Sequence, residues 1–473
     1  MNEIEQRLQE IERLGLTRRL RLVSGPQGPT VLIDGKPALL LCSNNYLGLA
    51  DHPRVREAAA DAAMRWGVGA GSSRLVSGTM TIHRRLEERL ADFKGSEACM
   101  LFGSGYLANI GVIAALAGRG DVVLSDELNH ASIVDGCRLS RAEVLVYRHR
   151  DSEHLDWSLR RHGRRDGSTR RLVVTDSVFS MDGDVAPLAE IVEIAQLHGA
   201  RTVVDEAHAT GNLGPQGRGA VAEAGLEGEV DVIVGTLGKA LGSYGAYACA
   251  SEQTVRYLLN SARSLIYSTA PAPPSVAGAL AALELLRERP HRVQRLRSNA
   301  RVLRRALAAE GFPVGEGEMQ IVPLIVGDER AALRLCQEAL ERGVFAQAIR
   351  PPSVPAGSSR LRVTAMASHT ATELELAAAA IGEAARATGL APQSLLPAPS
   401  ERREPLAPAA VLELDAHELG EQDGGGLAHI SAGPAAPFDL EREEAALAPP
   451  HSPAPPPTAP FDLEREVEGA RAA

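Results

Sequence analysis

The stretch Val203-Val204-Asp205-Glu206-Ala207-His208 is an apolar run that ends on two acids and a histidine. Letters of this kind close a strand in nucleic-acid helicases, where the carboxylates serve a magnesium-bound nucleotide. They equally suit an acid and a histidine that grip a different ligand. The helicase alternative requires a phosphate loop, G-x-x-x-x-G-K-[ST], earlier in the chain. None is present. The nearest approximation, Gly235-Thr236-Leu237-Gly238-Lys239-Ala240, has the wrong glycine spacing, lacks the hydroxyl after the lysine and follows the acids.

Charge argues the same way. The 473 residues carry a net charge of −10, and the segment from residue 391 onward, with 15 acids and 5 bases, holds all of it. Residues 1–390 balance at 45 of each sign, so the body lacks the electrostatic footprint of a polyanion binder. Nucleic acid is therefore not an expected partner. Hydrophobic content of 44% without a membrane-length apolar run gives no expectation of a membrane span. The start, MNEIEQRLQEIERLGLTRRLRL, lacks the apolar region of a signal peptide, and Cys42, Cys99, Cys137, Cys249 and Cys336 form no C-x-x-C pair. Reduced thiols, a cytoplasmic setting and no metal site are the expectation.

Working outward from the opening stretch, apolar runs alternate with helical ones from about 46 to 285. Strands are expected at 98–101, 122–125, 144–147, 172–175, 202–205, 232–235 and 246–250. That alternation predicts an α/β fold whose mainly parallel seven-stranded sheet is covered on both faces. Residues 1–45 read as a helix over 2–22, with Ile4, Leu8, Ile11 and Leu14 at helical spacing, and then two extended runs (30–35 and 39–43) about an Asp34-Gly35 turn. Residues 286–390 read as a smaller α+β domain with strands near 321–326 and 360–364. From 391 to 473 the composition is Pro/Ala-rich and acidic, the signature of a disordered tail. It repeats APFDLERE at 436–443 and 459–466, and Phe438/Leu440 and Phe461/Leu463 would be the anchors if the repeat docks a protein partner.

Ligands of open parallel sheets bind beyond the carboxyl ends of the strands. Those ends gather Asp126 and His130, Asp176 to Asp184, Asp205 and His208, and Thr236 and Lys239. A glycine turn, Gly103-Ser104-Gly105-Tyr106, opens a helical run whose first amides make a phosphate site. Each residue has a plain reading by itself: Lys239 as a solvated lysine, Asp205 as a helix cap, His130 and His208 as structural hydrogen-bonders. Together they match the needs of pyridoxal 5′-phosphate (PLP): an amine for its aldehyde, an acid beside its ring nitrogen, a flat group on its face and a cradle for its phosphate.

Over roughly residues 15–388 the chain resembles the α-oxoamine synthases among the fold-type I PLP-dependent transferases. The matching pieces are SNNYLGL (43–49), GAGSSRLVSG (69–78), FGSGYLAN (102–109), DELNHASI (126–133), DSVFSMDGDVAPL (176–188), VVDEAHATGNLGPQGRG (203–219), GTLGKALGSYG (235–245), LIYSTAPAP (265–273) and AIRPPSVPAGSSRLRV (348–363). The last of these points to the branch of the family that serves biotin biosynthesis. The resemblance implies decarboxylative condensation of L-alanine with a pimeloyl thioester, of coenzyme A or a carrier protein, to give 8-amino-7-oxononanoate, CO2 and the thiol. The alternative is another family member, similar to glycine C-acetyltransferase or using longer acyl donors linked to an assembly line. It further implies that Lys239 carries PLP as a Schiff base, Asp205 pairs with the ring nitrogen, His208 meets the phenolic oxygen and His130 stacks on the ring. Ser180 and Thr236 would lie near the cofactor, Gly105 and Tyr106 would supply phosphate-binding amides, and Ser268 and Thr269 would reach the partner's cofactor across a homodimer with shared sites. Arg362 would hold the amino-acid carboxylate, and Arg18 (or its neighbours Arg19 or Arg21), Arg350 and Asn44 would serve the other substrate.

Overall fold

The computed structural model describes residues 2–162 and 169–397. Both APFDLERE copies, with Phe438, Leu440, Phe461 and Leu463, lie outside the described residues, as does the rest of the expected tail beyond residue 397.

The chain begins with a helix over Glu3–Arg13, closed at its start by a capping box in which Asn2 and Glu5 exchange side-chain and backbone hydrogen bonds. It is shorter than the spacing predicts. Gly15, at φ +69°, turns the chain out of the helix before the basic run of 17–22. Ile4, Leu8, Ile11 and Leu14 all stay exposed, so the apolar stripe is real but covered by no described residue. Next come β1 (Val23–Ser24), β2 (Thr30–Ile33) and β3 (Lys36–Leu40). The β2–β3 hairpin turns on Asp34 (φ +50°) and Gly35 (φ +85°), the left-handed pair that an Asp-Gly turn favours. The strand after it starts at Lys36 and stops at Leu40, earlier than the apolar run 39–43 suggests.

The seven strands that follow are β4 (Ala98–Phe102), β5 (Val122–Asp126), β6 (Glu143–Tyr147), β7 (Arg171–Asp176), β8 (Arg201–Asp205), β9 (Val232–Thr236) and β10 (Ala246–Ala250). They form one sheet in the order β4-β10-β9-β8-β7-β5-β6. The pairs β5/β6, β5/β7, β7/β8 and β8/β9 are parallel, and β10 runs antiparallel to both β9 and β4. The expected sheet is therefore present, with one reversed strand. Its strands are apolar on both sides because both sides are cores. Leu101, Leu124, Val173, Val204 and Ile233 face one core, whereas Met100, Val123, Val174, Val203 and Val234 face the other.

The remaining strands are β11 (Ile321–Gly327), β12 (Val344–Phe345), β13 (Gln347–Ile349) and β14 (Ser359–Thr364). The antiparallel sheet β11-β14-β13 accompanies a second sheet, β1-β2-β3-β12, in which β12 joins β3 in parallel. Val31, Ile33 and Leu40 share one core with Leu303, Val322, Leu361 and Ile381. The N-terminal strands thus build onto the C-terminal α+β layer. That juxtaposition brings Asn44 and Tyr46, just past β3, to Arg362 on β14.

Candidate active site

The carboxyl ends of β7 and β8 stand in register, Asp176 opposite Asp205. Both side chains are buried. Asp205 accepts the Ala207 amide on Oδ1 at 2.8 Å and the Asn109 side-chain amide on Oδ2 at 2.7 Å. Asp176 accepts the His130 backbone N–H at 2.7 Å. Burial, then the charge of Asp205, pushes the Asp176 carboxyl well above the usual carboxylate range. Two acids at one strand edge thus differ: Asp205 accepts two N–H groups, whereas the Asp176 carboxyl is pushed up beside it. His130 caps the helix Ala131–Ser140 and sits at the solvent side of this edge, its Nδ1 2.7 Å from Ser132 Oγ. Desolvation lowers its pKa, and the positive charge of Lys239 acts in the same direction.

Lys239 follows β9 in a loop closed by its own hydrogen bonds, Leu237 N–H to Gly245 O at 2.9 Å and Gly242 N–H to Lys239 O at 2.9 Å. Thr236 Oγ1 braces the loop by donating to Gly245 O at 3.1 Å and accepting Gly238 N–H at 3.1 Å. A Cβ at Gly242 (φ +58°) would lie 2.3 Å from the Ala50 amide nitrogen, so only glycine lets this loop lie against the Asn44–Leu49 segment. Lys239 Nζ reaches His208 Nε2 at 2.7 Å, and His208 Nδ1 meets Tyr46 OH at 2.6 Å. Tyr46 OH donates to Asn44 Oδ1 at 3.0 Å and accepts from Arg362 at 3.1 Å. A second Arg362 N–H goes to Asn44 Oδ1 at 3.1 Å, and its Nε donates to Ser180 O at 2.5 Å. With the tyrosine proton committed to Asn44, the network assigns the His208 proton to Nδ1 and leaves Nε2 as acceptor for the lysine. Burial drives the Lys239 amine down to about 8, with Asp205 opposing and Arg362 assisting. Burial likewise holds His208 well below the usual imidazole range.

The helix Gly105–Leu116 starts behind this cluster. Ser104 Oγ caps it by accepting Leu107 N–H at 3.2 Å, while the amides of Gly105 and Tyr106 have no intrahelical partner. The Tyr106 hydroxyl donates to Asp135. Ser268 is half-buried and Thr269 exposed, bridged to Ser73, and no hydrogen bond among the described residues joins either to the Lys239 cluster. Arg350 donates to the carbonyls of Gly15 and, at 3.1 Å, Thr17. Arg21 and Arg19 are held on Asp34 at 2.9 and 3.7 Å, whereas burial, and after it the charge of Arg18, lowers the Arg350 pKa.

The model of the aminotransferase class I and II family matches residues 36–381. An 8-amino-7-oxononanoate synthase of Geobacter metallireducens is 51% identical over 386 residues, 81% of this chain and 98% of that protein. The chain belongs to this synthase family. Among solved structures, a serine palmitoyltransferase of S. paucimobilis with a bound PLP–myriocin aldimine is 35% identical with a TM-score of 0.77, covering 82% of this chain and 98% of that one. An 8-amino-7-oxononanoate synthase of Francisella tularensis is 25% identical with a TM-score of 0.63, covering 75% and 99%.

The residues fit the cofactor of this synthase family. The sequence has three lysines, and Lys239 alone has its amine driven toward the neutral form that an aldehyde captures. A fixed carboxylate and a helix start with unpartnered amides stand beside it. Tyr46, Asn109, Ser132 and Asp176 belong to the site although sequence reasoning gave them no role. Asn109 had a legible signal, lying four residues after Gly105 and so on the same helix face as the start of that helix. Glu206 turns out to be structural. Its Oε2 takes Lys94 Nζ at 2.5 Å and its Oε1 takes Val221 N–H at 2.7 Å, all buried, so it ties the 207–221 loop to the helix Thr81–Lys94.

Proposed function

We propose that this protein catalyses the decarboxylative condensation of L-alanine with a pimeloyl thioester, of coenzyme A or a carrier protein, giving 8-amino-7-oxononanoate, CO2 and the free thiol in biotin biosynthesis. The observation that carries this reading is the Lys239 amine, held near a pKa of 8 within 2.7 Å of a neutral His208 at the edge where Asp205 is fixed. PLP, when bound, supplies the electron sink for the carbanion chemistry. Asp205 would pair with the ring nitrogen and favour its protonated form. His130 would stack on the ring, and His208 would meet its phenolic oxygen. The first amides of the 105–116 helix, at Gly105 and Tyr106, hold the phosphate. Arg362 uses three N–H groups on Asn44, Tyr46 and Ser180 O, and its remaining two are available to the amino-acid carboxylate as charge-assisted bonds. Lys239 is the general base that takes the Cα proton and returns it, because its pKa lies near working pH. Arg18 and Arg350 would serve the far carboxylate of the pimeloyl chain.

We further propose a homodimer. Leu75, Val76 and Tyr267 are exposed by 52, 79 and 72%, and the Ser73–Thr269 bridge gathers them on one surface, beside Ser268 and Thr269. A cytoplasmic setting agrees with the five unpaired cysteines, and no helix among the described residues is long and apolar enough to cross a membrane. The test is steady-state turnover with a panel of alanine, glycine and serine against pimeloyl-CoA and shorter and longer acyl-CoAs, the product weighed by mass spectrometry. Alanine with pimeloyl-CoA should give the highest kcat/KM. A preference for glycine with acetyl-CoA, or serine with a long acyl chain, would assign the chain to another reaction of the α-oxoamine synthases.

A further inference from the structure

Asn109 has no task in the reaction as set out above, yet it is the hub of the hydrogen bonds around Asp205. It is 1% exposed, and its two amide hydrogens are both committed, one to Asp205 Oδ2 at 2.7 Å and one to Ser132 Oγ at 2.9 Å. The reverse amide orientation would set oxygen against carboxylate at that distance, so the assignment of nitrogen is forced. Ser132 Oγ, accepting from Asn109, has its own hydrogen for His130 Nδ1 at 2.7 Å, where the Ser132 amide also points at 3.2 Å. His130 Nδ1 is therefore a lone pair, and the ring proton is on Nε2. Asn109 Oδ1, by contrast, is buried without a hydrogen-bond partner. A side chain present only to fill this space could be a leucine and would carry no such orphan, whose desolvation is a standing cost.

We infer that Asn109 is a positioning residue: it orients the Asp205 carboxylate toward the cofactor ring and, through Ser132, fixes the tautomer of His130. The inference rests on the PLP reading of the site. One amide thus holds both the acid and the flat group that the ring would meet, from the helix whose first amides would hold the phosphate. The charged and titratable groups around Asp205 are Asp176 on β7, His130 before the 131–140 helix and Lys239 after β9, and all remain in the variants below.

The test uses the PLP-loaded full chain. Asn109→Leu removes both donors at nearly constant volume, and Ser132→Ala cuts only the arm to His130. The expected results for Asn109→Leu are a melting midpoint of the cofactor-free protein within a few degrees of wild type and a pH midpoint of the bound cofactor's visible absorbance shifted by about one unit. Its kcat should fall about tenfold or more, as for loss of a hydrogen bond to a charged group, with KM for alanine little changed. Ser132→Ala should leave the absorbance midpoint in place and move the acid limb of the kcat–pH profile upward, because His130 gains a proton more easily. A lowered melting midpoint with unshifted absorbance would make Asn109 merely structural and overturn the inference. Should Asn109→Leu fail to fold, an unchanged kcat–pH profile in Ser132→Ala overturns it alone. A wild-type protein that takes up no PLP instead overturns the reading of the site on which the inference stands.

Discussion

Lys94 is buried and Lys239 part-buried, yet their amines are driven in opposite directions. Burial pushes each toward the neutral form. At Lys94 the Glu206 carboxylate, at 2.5 Å, overcomes that push and raises the amine to about 12. At Lys239 the contact is a neutral imidazole at 2.7 Å, Asp205 acts without a hydrogen bond to it, and the Arg362 cation works against charge, so the amine falls to about 8. Burial fixes the direction of the push and the nearest partner decides the outcome. One strand end supplies both partners: Glu206 turns to Lys94, and Asp205 and His208 turn to the site. The third lysine, Lys36, is exposed and paired with Glu341 at 2.8 Å.

The largest effect expected from this contrast is on turnover. Lys239→Ala should reduce product formation to the protein-free background while the protein remains folded, as measured by coupled thiol release beside a melting curve. Full activity in that variant would remove the functional half of the comparison. Lys94→Met should leave the chemistry of Lys239 intact but destabilise the fold by about 3–5 kcal/mol, because it strands the buried Glu206 charge. Calorimetry should then find much of that loss recovered when Glu206→Leu is added, since an apolar pair replaces the ion pair. No recovery would mean that Glu206 acts mainly through Val221 and the 207–221 loop.

A third cation sharpens the rule. His149 lies between Asp126 and Asp184, at 2.9 Å from each, and their hydrogen bonds overcome burial to raise it to about 9. Its folded-state pKa is above the unfolded value, so its contribution is full below pH ~6.5 and disappears as pH rises through about 9. His149→Ala should therefore cost up to about 3 kcal/mol at pH 6 and far less of the electrostatic part at pH 9.5, read by denaturant titration at both values. The smallest effect is kinetic. Capture of PLP by the cofactor-free protein should rise with pH about a midpoint near 8, in contrast to the ~10.4 of an ordinary lysine, followed by stopped-flow absorbance.

The parts of this arrangement that were legible in the sequence share a cause. A strand buried on both faces has to be apolar at every position, so β5, β7, β8 and β9 stand out as runs that end abruptly on a polar residue. Each such end is a place where a side chain can meet a ligand. Asp34-Gly35 was legible because few dipeptides accept two left-handed residues in succession. The N-terminal helix was overestimated because its apolar spacing persists past Gly15, while one residue of backbone conformation ends it. Glu206 and Lys94 are 112 positions apart, and no local pattern announces that pair. Asn109 and Tyr46 were hidden differently. Both stand inside motifs whose glycines drew the interpretation.

The central claim, that Lys239 and not its buried counterpart holds the cofactor, is tested most directly by reducing the PLP-loaded protein with borohydride and mapping the modified peptide by mass spectrometry. With three lysines in the chain, the readout has few outcomes. The account predicts a pyridoxyl group on Lys239 alone, lost in Lys239→Ala. A label on Lys94 or Lys36, or a loaded protein that keeps no label, would contradict it.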